Sequence, residues 1–420
     1  MLDIKFIREN KELVRKNCAD RRVKIDLDKL FDLDERRRSN LQEIEELRAT
    51  RNKASSGKEG KPSADEIKAM REIGGKIKKL EEKQEIIDKD YKDLMGQIPN
   101  MTHPSSPIGG EDDFRVIFTN REPKPFSFPP KDHEELLVKN NLIDFERATK
   151  VSGAKFYYFK NNLVRLTHAL LDYGMDITTK HSYELLETPD LARNDILEGI
   201  GFNPRGKETQ VYSIENSDLS LIGTAEITIG GMHQNEVLDL STGPKKYVAV
   251  SHCFRTEAGA YGRTSKGLYR VHQFTKLEMF VFCKPEDSEK YHEEILNIEK
   301  EIVDGLDIPY RVIDISSGDL GGPAYRKFDI EAWMTMKGDK DKQGGYGEIT
   351  SCSNCADYQA RRLNIKYKTA DGTNEFVHTL NGTAVVLSRF PIVIAENHQQ
   401  KDGSIRIPKK LKKLCGFKKL

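Results

Sequence analysis

From Met70 to Ile98, apolar residues return at alternating steps of three and four: Met70, Ile73, Ile77, Leu80, Ile87, Tyr91, Leu94 and Ile98, with Gln84 as the one polar lapse. That is a heptad seam, because a repeat of 3.5 residues keeps one row of side chains facing a partner helix. Upstream, Leu30, Leu33, Ile44, Leu47 and Ala54 hold the register less cleanly, interrupted by Arg37, Asn40 and Arg51. Between the two runs, SSGKEGKPSADE breaks any helix with its glycines and Pro62, and Ser63 to Glu66 reads as a capping box opening the second helix. Residues 1–98 are therefore expected to hold an antiparallel coiled-coil arm, each long helix reaching roughly 40 to 50 Å.

Beyond the arm the periodicity changes. Residues 99–131 (PNMTHPSSPIGGEDD, then EPKPFSFPPK) are rich in proline and glycine and read as a linker and the start of a core, leaving 132–420 as a second domain. There, VYSIENSDLSLIG, KKYVAVSHCFR, the run on both sides of Gly259–Gly267 and PYRVIDIS read as strands. DHEELLVKNNLI, NLVRLTHALLDYGM and PEDSEKYHEEILNIEKEIVDGL read as helices. Strands broken irregularly by helices predict an α+β domain around an antiparallel sheet.

Charge adds one constraint. The 68 basic and 67 acidic side chains nearly cancel, so any nucleic-acid binding must use local basic surfaces. Arg36, Arg37, Arg38, Arg48, Arg51, Lys53, Lys58 and Lys61 on the first long helix and the tip are candidates, although most charge on a coiled coil is its solvated face. No apolar stretch approaches the roughly 20 residues that span a bilayer. The N-terminus mixes acids and bases from its first turn, unlike a secretory signal. Six irregularly spaced cysteines do not make a disulfide framework, which points to a reducing cytoplasm.

The chemistry concentrates in HCFRTEAGAYGRTSKGLYRVHQFTKLEMFVF, His252 to Phe282. Alternation in Arg270-Val271-His272-Gln273-Phe274 and in Lys276-Leu277-Glu278-Met279-Phe280 predicts strands with one wet face, separated by the turn Gly259–Gly267. With no GxxxxGK[ST] run and no GxGxxG after a strand, phosphate must be held by side chains. Arg255 and Arg270 offer forked donors, and Phe274 can stack on a purine. Glu348 is a hard oxygen ligand suited to Mg²⁺, with Ser351 three residues on. Arg389 follows LNGTAVVL, where a helix could carry its guanidinium to a nucleotide. Thr224-Ala225-Glu226 closes an apolar strand and, with Glu278, supplies two carboxylates and a hydroxyl for an ammonium and an alcohol. Cys352 and Cys355 form a lone CxxC, a weak zinc signal. His272 reads as a hydrogen-bonded strand residue rather than an acid–base group.

These segments resemble the three signature motifs of class II aminoacyl-tRNA synthetases, and in detail the seryl-tRNA synthetase family of bacterial type. Motif 1 matches LTHALLDYGMDITTKHSYELLETPDLA around Pro189, motif 2 FRTEAGAYGR through YRVHQF, and motif 3 HTLNGTAVVLSRF with Arg389. TAE, KLEMF and CSN–DYQARR carry the serine-specific likeness, and the arm precedes the core as in that family. The resemblance implies an antiparallel-sheet catalytic domain, serine–tRNA ligase activity, and a homodimer formed through motif 1. It also implies an arm that grips the long variable arm of serine tRNA.

Residue by residue, the resemblance implies that Arg255 holds the serine carboxylate and the ATP α-phosphate, with Glu257 at the adenosine side, Arg270 at the γ-phosphate and Phe274 at the adenine. Thr224, Ala225, Glu226, Glu278 and Thr383 would surround serine. Thr256, Val271, Glu348, Ile349, Thr350, Ser351 and Arg389 would complete the ATP site, Glu348 and Ser351 holding Mg²⁺. The chain departs from the family's usual pattern at Thr264-Ser265-Lys266, Gly223, Thr383 and Ser388, none of which removes a charged catalytic group. Two other readings stand beside this one. A ligase charging a carrier protein would lack the long arm, and a non-catalytic paralogue would have lost the motif arginines and glutamates.

Overall fold

The computed structural model describes residues 1–55, 63–202, 210–258, 266–338 and 342–420, which gather into two units, Met1–Met101 and Thr102–Leu420. In the first unit, α1 (Leu27–Ser55) and α2 (Ala64–Gln97) are the two long helices that the heptad seam predicts. α2 begins directly after Ser63. The helix-breaking stretch before it, with Lys58 and Lys61, lies outside the described residues. Every seam position from Met70 to Ile98 is at least partly buried. At the base, two short helices (Ile4–Glu9 and Lys11–Asp20) bring Ile7, Val14 and Cys18 against Leu27, Leu30, Met95 and Ile98.

The polar interruptions of the seam meet one another. Asn40 and Gln84 are 3% and 6% exposed, and the Asn40 amide donates to Gln84 Oε1 and to the Leu80 carbonyl, both at 2.9 Å. Gln84 Nε2 donates in turn to Asp88 Oδ1 at 2.9 Å, and that oxygen also accepts from Arg37 Nε at 2.6 Å. Arg37, Asn40 and Gln84 thus form one hydrogen-bonded chain between the helices. A slip in register would strand both buried amides, at a cost of about 1–3 kcal/mol each. Of the other basic residues on α1, Arg36 and Arg48 pair with Asp32 and Glu81.

In the second unit, β1 (Arg115–Thr119), β2 (Glu184–Glu187), β3 (Lys245–Phe254), β4 (Gln273–Cys283), β5 (Tyr310–Asp314), β6 (Arg326–Met334), β7 (Gly345–Asn354) and β8 (His378–Val386) form one sheet. Its order is β1-β5-β6-β7-β8-β4-β3-β2. All neighbours are antiparallel except the edge pair β2 and β3. α3 (His133–Lys139) lies against α7 (Phe390–His398), and α4 (Asn162–Lys180), α5 (Ala225–Gly231), α6 (Ser288–Gly305) and α7 pack on the sheet. This is the α+β arrangement expected from the sequence.

Side chains alternate faces along a strand, and β4 uses the alternation to divide core from cleft. Leu277, Met279, Val281 and Cys283 enter the main core beneath α4, α6 and α7. Phe280 and Phe282 enter a second core with Leu197, Ile200, Ile227 and Ile229. Lys276 and Glu278 share the face of Phe280 and Phe282 but lie beyond that second core, where the sheet opens. On the opposite face α4 approaches closely at Gly174, where a Cβ would sit 2.8 Å from both Leu277 Cδ2 and Val385 Cγ2.

Several local expectations are corrected. Arg270, Val271 and His272 precede β4 instead of forming it, so the turn is longer than Gly259–Gly267. The Arg255 N–H donates to the His272 carbonyl at 3.0 Å, after which Glu257 leaves the strand path with φ +53°. Residues 259–265 lie outside the described residues. In VYSIENSDLSLIG only Leu219–Leu221 is strand, because the segment turns at Asn216 with φ +58°. Thr224-Ala225-Glu226 opens α5 rather than closing a strand, and the Thr224 hydroxyl accepts from the Glu226 N–H at 3.2 Å as its N-cap. LNGTAVV is strand β8, and the helix starts only after Arg389.

Candidate active site

A cleft of about 420 Å³ opens on the polar face of the sheet. Register builds its floor: Glu278 of β4 lies opposite Thr383 of β8, and Ser351 of β7 opposite Asp329 of β6. Two bulges extend that row. Residues three apart on a regular strand face opposite ways, yet Glu348 and Ser351 both line the cleft. The pairing of β6 with β7 skips Ile349, and this extra residue turns Glu348 back to the face of Ser351. The skip at Ala384 does the same for Thr383 and Val386.

Thr224, Glu226, Arg255, Glu257, Arg270, Val271, Phe274, Glu278, Glu348, Ile349, Ser351, Thr383 and Arg389 all line this one cleft. The side chains of three other expected residues do not. Ala225 packs into the second core. Thr350 faces away and donates to Glu299 Oε2 at 2.8 Å. Thr256 is not among the lining residues; its hydroxyl accepts from the Ala258 N–H at 3.4 Å.

One end of the cleft is acidic. Glu226 Oε1 accepts from Gln359 Nε2 at 2.7 Å and from Asn381 Nδ2 at 3.0 Å. Burial, and after it the neighbouring Glu278 carboxylate, pushes the Glu226 carboxyl up to about 7 against the opposing pull of Gln359, Lys276 and Arg255. Glu278 is paired with Lys276 and accepts from the Thr383 hydroxyl at 3.3 Å.

The other end holds arginines. Arg270 Nη1 meets Glu257 Oε2 at 2.5 Å. Arg389 Nη1 meets Glu348 Oε1 at 2.9 Å and the Glu348 carbonyl at 3.0 Å. Its guanidinium also lies over the Tyr269 ring, 4.9 Å from the centroid. Burial works to raise the Glu348 carboxyl, and Arg389 with Lys327 outweighs that and holds it below the usual range. Arg255 differs from these. Its Nε donates to the Gly223 carbonyl at 3.2 Å and its guanidinium lies 5.3 Å from the Phe274 centroid. Among the described residues it pairs with no carboxylate, although Glu226 and Glu348 are both within its electrostatic reach.

Comparison with known proteins identifies the family. Residues 1–102 match the seryl-tRNA synthetase N-terminal domain, and residues 210–398 the tRNA synthetase class II core domain (G, H, P, S and T). The serine–tRNA ligase of Dictyoglomus turgidum is 49% identical over 100% of this chain and 99% of its own length. That of Treponema denticola is 49% identical over the whole of both. The chain belongs to the seryl-tRNA synthetases. Among solved structures, seryl-tRNA synthetase of Pyrococcus horikoshii complexed with ATP superposes with a TM-score of 0.87 at 40% identity, covering 100% of this chain and 99% of that one. The cytoplasmic serine–tRNA ligase of Naegleria fowleri in complex with AMP gives 0.83 at 32%, covering 100% and 98%.

In this synthetase the cleft also contains residues that sequence reasoning missed. Lys276 and Asn381 line it, each two residues before an expected site residue (Glu278 and Thr383) on the same strand, so the period-two rule carried two steps back would have found both. Tyr269 lines it beneath Arg389.

His133 was read only as part of a helix. It ties the two arginine-bearing segments together, with both it and Glu396 fully buried. His133 Nε2 accepts from the Leu268 N–H at 3.1 Å, so the proton sits on Nδ1 and is donated to Glu396 Oε1 at 2.8 Å. Glu396 also accepts the His133 N–H at 2.8 Å and the Met336 N–H at 3.1 Å. Gly267 turns over this ring with φ +54°, where a Cβ would lie 2.3 Å from Nε2. Arg270 follows Leu268, and Arg389 starts the helix carrying Glu396, so one imidazole sets the spacing of the two arginines.

Among the described residues no cluster of three or more His, Cys, Asp or Glu suits a metal ion, and Cys352 and Cys355 are free and buried. No helix among them is long and apolar enough to cross a membrane.

Proposed function

We propose that the cleft joins L-serine to the adenylate of ATP, and that the chain then passes the seryl group to the 3′ end of serine tRNA. Arg255 is the observation that carries this reading: a guanidinium without a carboxylate partner among the described residues, in reach of an acidic end and a cationic end of one cleft. The serine ammonium suits Glu226 and Glu278, its hydroxyl suits Thr383 and Glu278, and its carboxylate suits Arg255. The purine stacks on Phe274, and the phosphates run toward Arg270 and Arg389 with Glu257 at the adenosine side.

A serine carboxylate oxygen forms a bond to the α-phosphorus while the bond to the β-phosphate oxygen breaks, releasing pyrophosphate. The attacking group is already ionised, so alignment and charge neutralisation matter more than a protein base. A terminal ribose hydroxyl of the tRNA then attacks the seryl carbonyl and displaces AMP. Mg²⁺ fits Glu348 and Ser351, a carboxylate and a hydroxyl of hard-oxygen character that would leave most of its shell to water and phosphate. Asp329 Oδ1, buried across the strand from Ser351 without a hydrogen-bond partner, agrees with a cation there. The ion would supply neutralisation of the phosphate oxygens.

On this reading residues 1–98 grip the long variable arm of the tRNA, 99–131 link and start the core, contributing its edge strand β1, and 132–420 carry the chemistry. Two chains would associate through α4 and the edge strand β2, whose Leu185 is exposed. Six free thiols agree with a reducing cytoplasm.

The test is amino-acid-dependent ATP–pyrophosphate exchange across all twenty amino acids without tRNA. Serine alone should support it. Alanine should be rejected by roughly 10⁴-fold, because it leaves the hydroxyl partners unpaired. Exchange with another amino acid would overturn the pocket assignment.

The raised Glu226 carboxyl gives a pH signature. Below about 7 the group is mostly protonated, and a cationic amine can pair with it only after that proton leaves. Serine KM should therefore fall by up to about tenfold per pH unit as pH rises toward 7, then level off. Glu226→Gln should weaken serine binding and flatten the profile, whereas a pH-independent KM in the unmodified chain would remove Glu226 from the amine site.

A further inference from the structure

Past β6 the chain makes a short three-ten turn, Thr335–Lys337, that returns beside the start of β7. The Lys337 stem lies along Gly347: a Cβ there would be 3.1 Å from Lys337 Cε and 3.1 Å from the Tyr269 hydroxyl. Lys337 Nζ lies 4.6 Å from the centroid of the Tyr269 ring, the ring that also carries Arg389 at 4.9 Å. Tyr269 precedes Arg270 and Gly347 precedes Glu348, so the ammonium sits against the two segments that bear the cationic end of the cleft.

Among the described residues, Lys337 has no hydrogen bond and no carboxylate at ion-pair distance. It is half-buried, and burial lowers the affinity of its ammonium for the proton. Of the neighbouring charges Glu331 acts most strongly and favours the ammonium, Arg389 and Arg270 add to the lowering, and Glu348 opposes them. An ammonium held near two guanidiniums, with its carboxylates beyond ion-pair distance, costs free energy that a polyanion would relieve. A lysine serving only as packing would be expected to turn its charge to water.

We propose that Lys337 is a third cation of the polyphosphate end, its ammonium contacting terminal phosphate oxygens of ATP and of the departing pyrophosphate beside Arg270 and Arg389. The inference rests on the ATP reading above and adds a binding residue to it. Lys337 lies outside the three motif segments, which is why no motif singles it out. Its reach comes from the bare Cα of Gly347, over which the stem passes.

The test uses the full chain with Lys337→Met, which keeps an unbranched stem over Gly347, and Lys337→Arg, which keeps the charge. Lys337→Met should raise KM for ATP in serine-dependent exchange, and the Kd for inorganic pyrophosphate by calorimetry, by about tenfold or more, as expected for loss of one charge-assisted hydrogen bond. Serine KM should stay within about twofold, and Lys337→Arg should restore most of the loss. Unchanged ATP and pyrophosphate affinities in a folded Lys337→Met chain would overturn the proposal. So would a parallel rise of the serine and ATP KM together with a lower melting temperature, the mark of a packing role. If the unmodified chain shows no serine-dependent exchange, the function reading fails on its own, and pyrophosphate calorimetry still decides the role of Lys337.

Discussion

Arg255→Ala should reduce serine-dependent ATP–pyrophosphate exchange by about 10³-fold, the loss expected when a preorganised charge aimed at a developing anion is removed. The size follows from its surroundings. Arg270, Arg389 and Lys276 already face Glu257, Glu348 and Glu278, so part of their charge is matched before any anion arrives. Among the described residues the Arg255 side chain is hydrogen-bonded only through Nε to a carbonyl, which leaves the outer edge of its fork for two oxygens of different groups. Arg255→Lys should recover little, since an ammonium supplies neither the fork nor the stacking on Phe274. Melting temperature should barely move in either variant. Retention of more than about a tenth of the exchange in Arg255→Ala would mean that α-phosphate charge is met elsewhere.

The second large effect concerns the arm. Arg37 and Asp88 face one another at 2.6 Å, so removing residues 38–87 and joining these two through a short Gly-Ser linker shortens the hairpin without opening its base. The base should persist, because Leu27, Leu30, Met95 and Ile98 remain with the helices that cover them. Exchange without tRNA should be unchanged, while kcat/KM for serine tRNA should fall by about 10²-fold or more with the loss of several phosphate contacts. The salt dependence of tRNA KM should flatten in parallel. Equal loss of both activities would end the division of labour between arm and cleft.

What could be read from the chain depended on whether the information was local. The arm was legible because a 3.5-residue period is written into the residues themselves, and Glu278 because period-two alternation marks a strand face. The meeting of Asn40 with Gln84 was not, since their pairing depends on the mutual register of two helices, which neither helix's own period fixes. His133 and Glu396 are 263 residues apart and carry no pattern of their own, so only the packed fold makes them a pair. Thr350 and Ser351 were both assigned to the site by resemblance, although neighbours on a strand face opposite ways. Conversely, alternation alone would have separated Glu348 from Ser351, and a bulge joined them. Strand-like runs also overreached: Arg270–His272 alternates as a strand does, but the chain there is already fixed by the hydrogen bonds between Arg255 and His272.

The Asn40–Gln84 contact carries a consequence for how such an arm can change length. With one matched pair inside an otherwise apolar seam, the two helices share a fixed point, and a single insertion on either side rotates every later seam residue by about 100° away from its partner. Growth or shortening beyond that point must occur on both helices together and in whole heptads, steps of about 10 Å. Among seryl-tRNA synthetases that retain the pair, arm lengths should be quantised, and a tRNA whose variable arm differed by less than one such step would have to be met by the residues at the tip rather than by a longer reach.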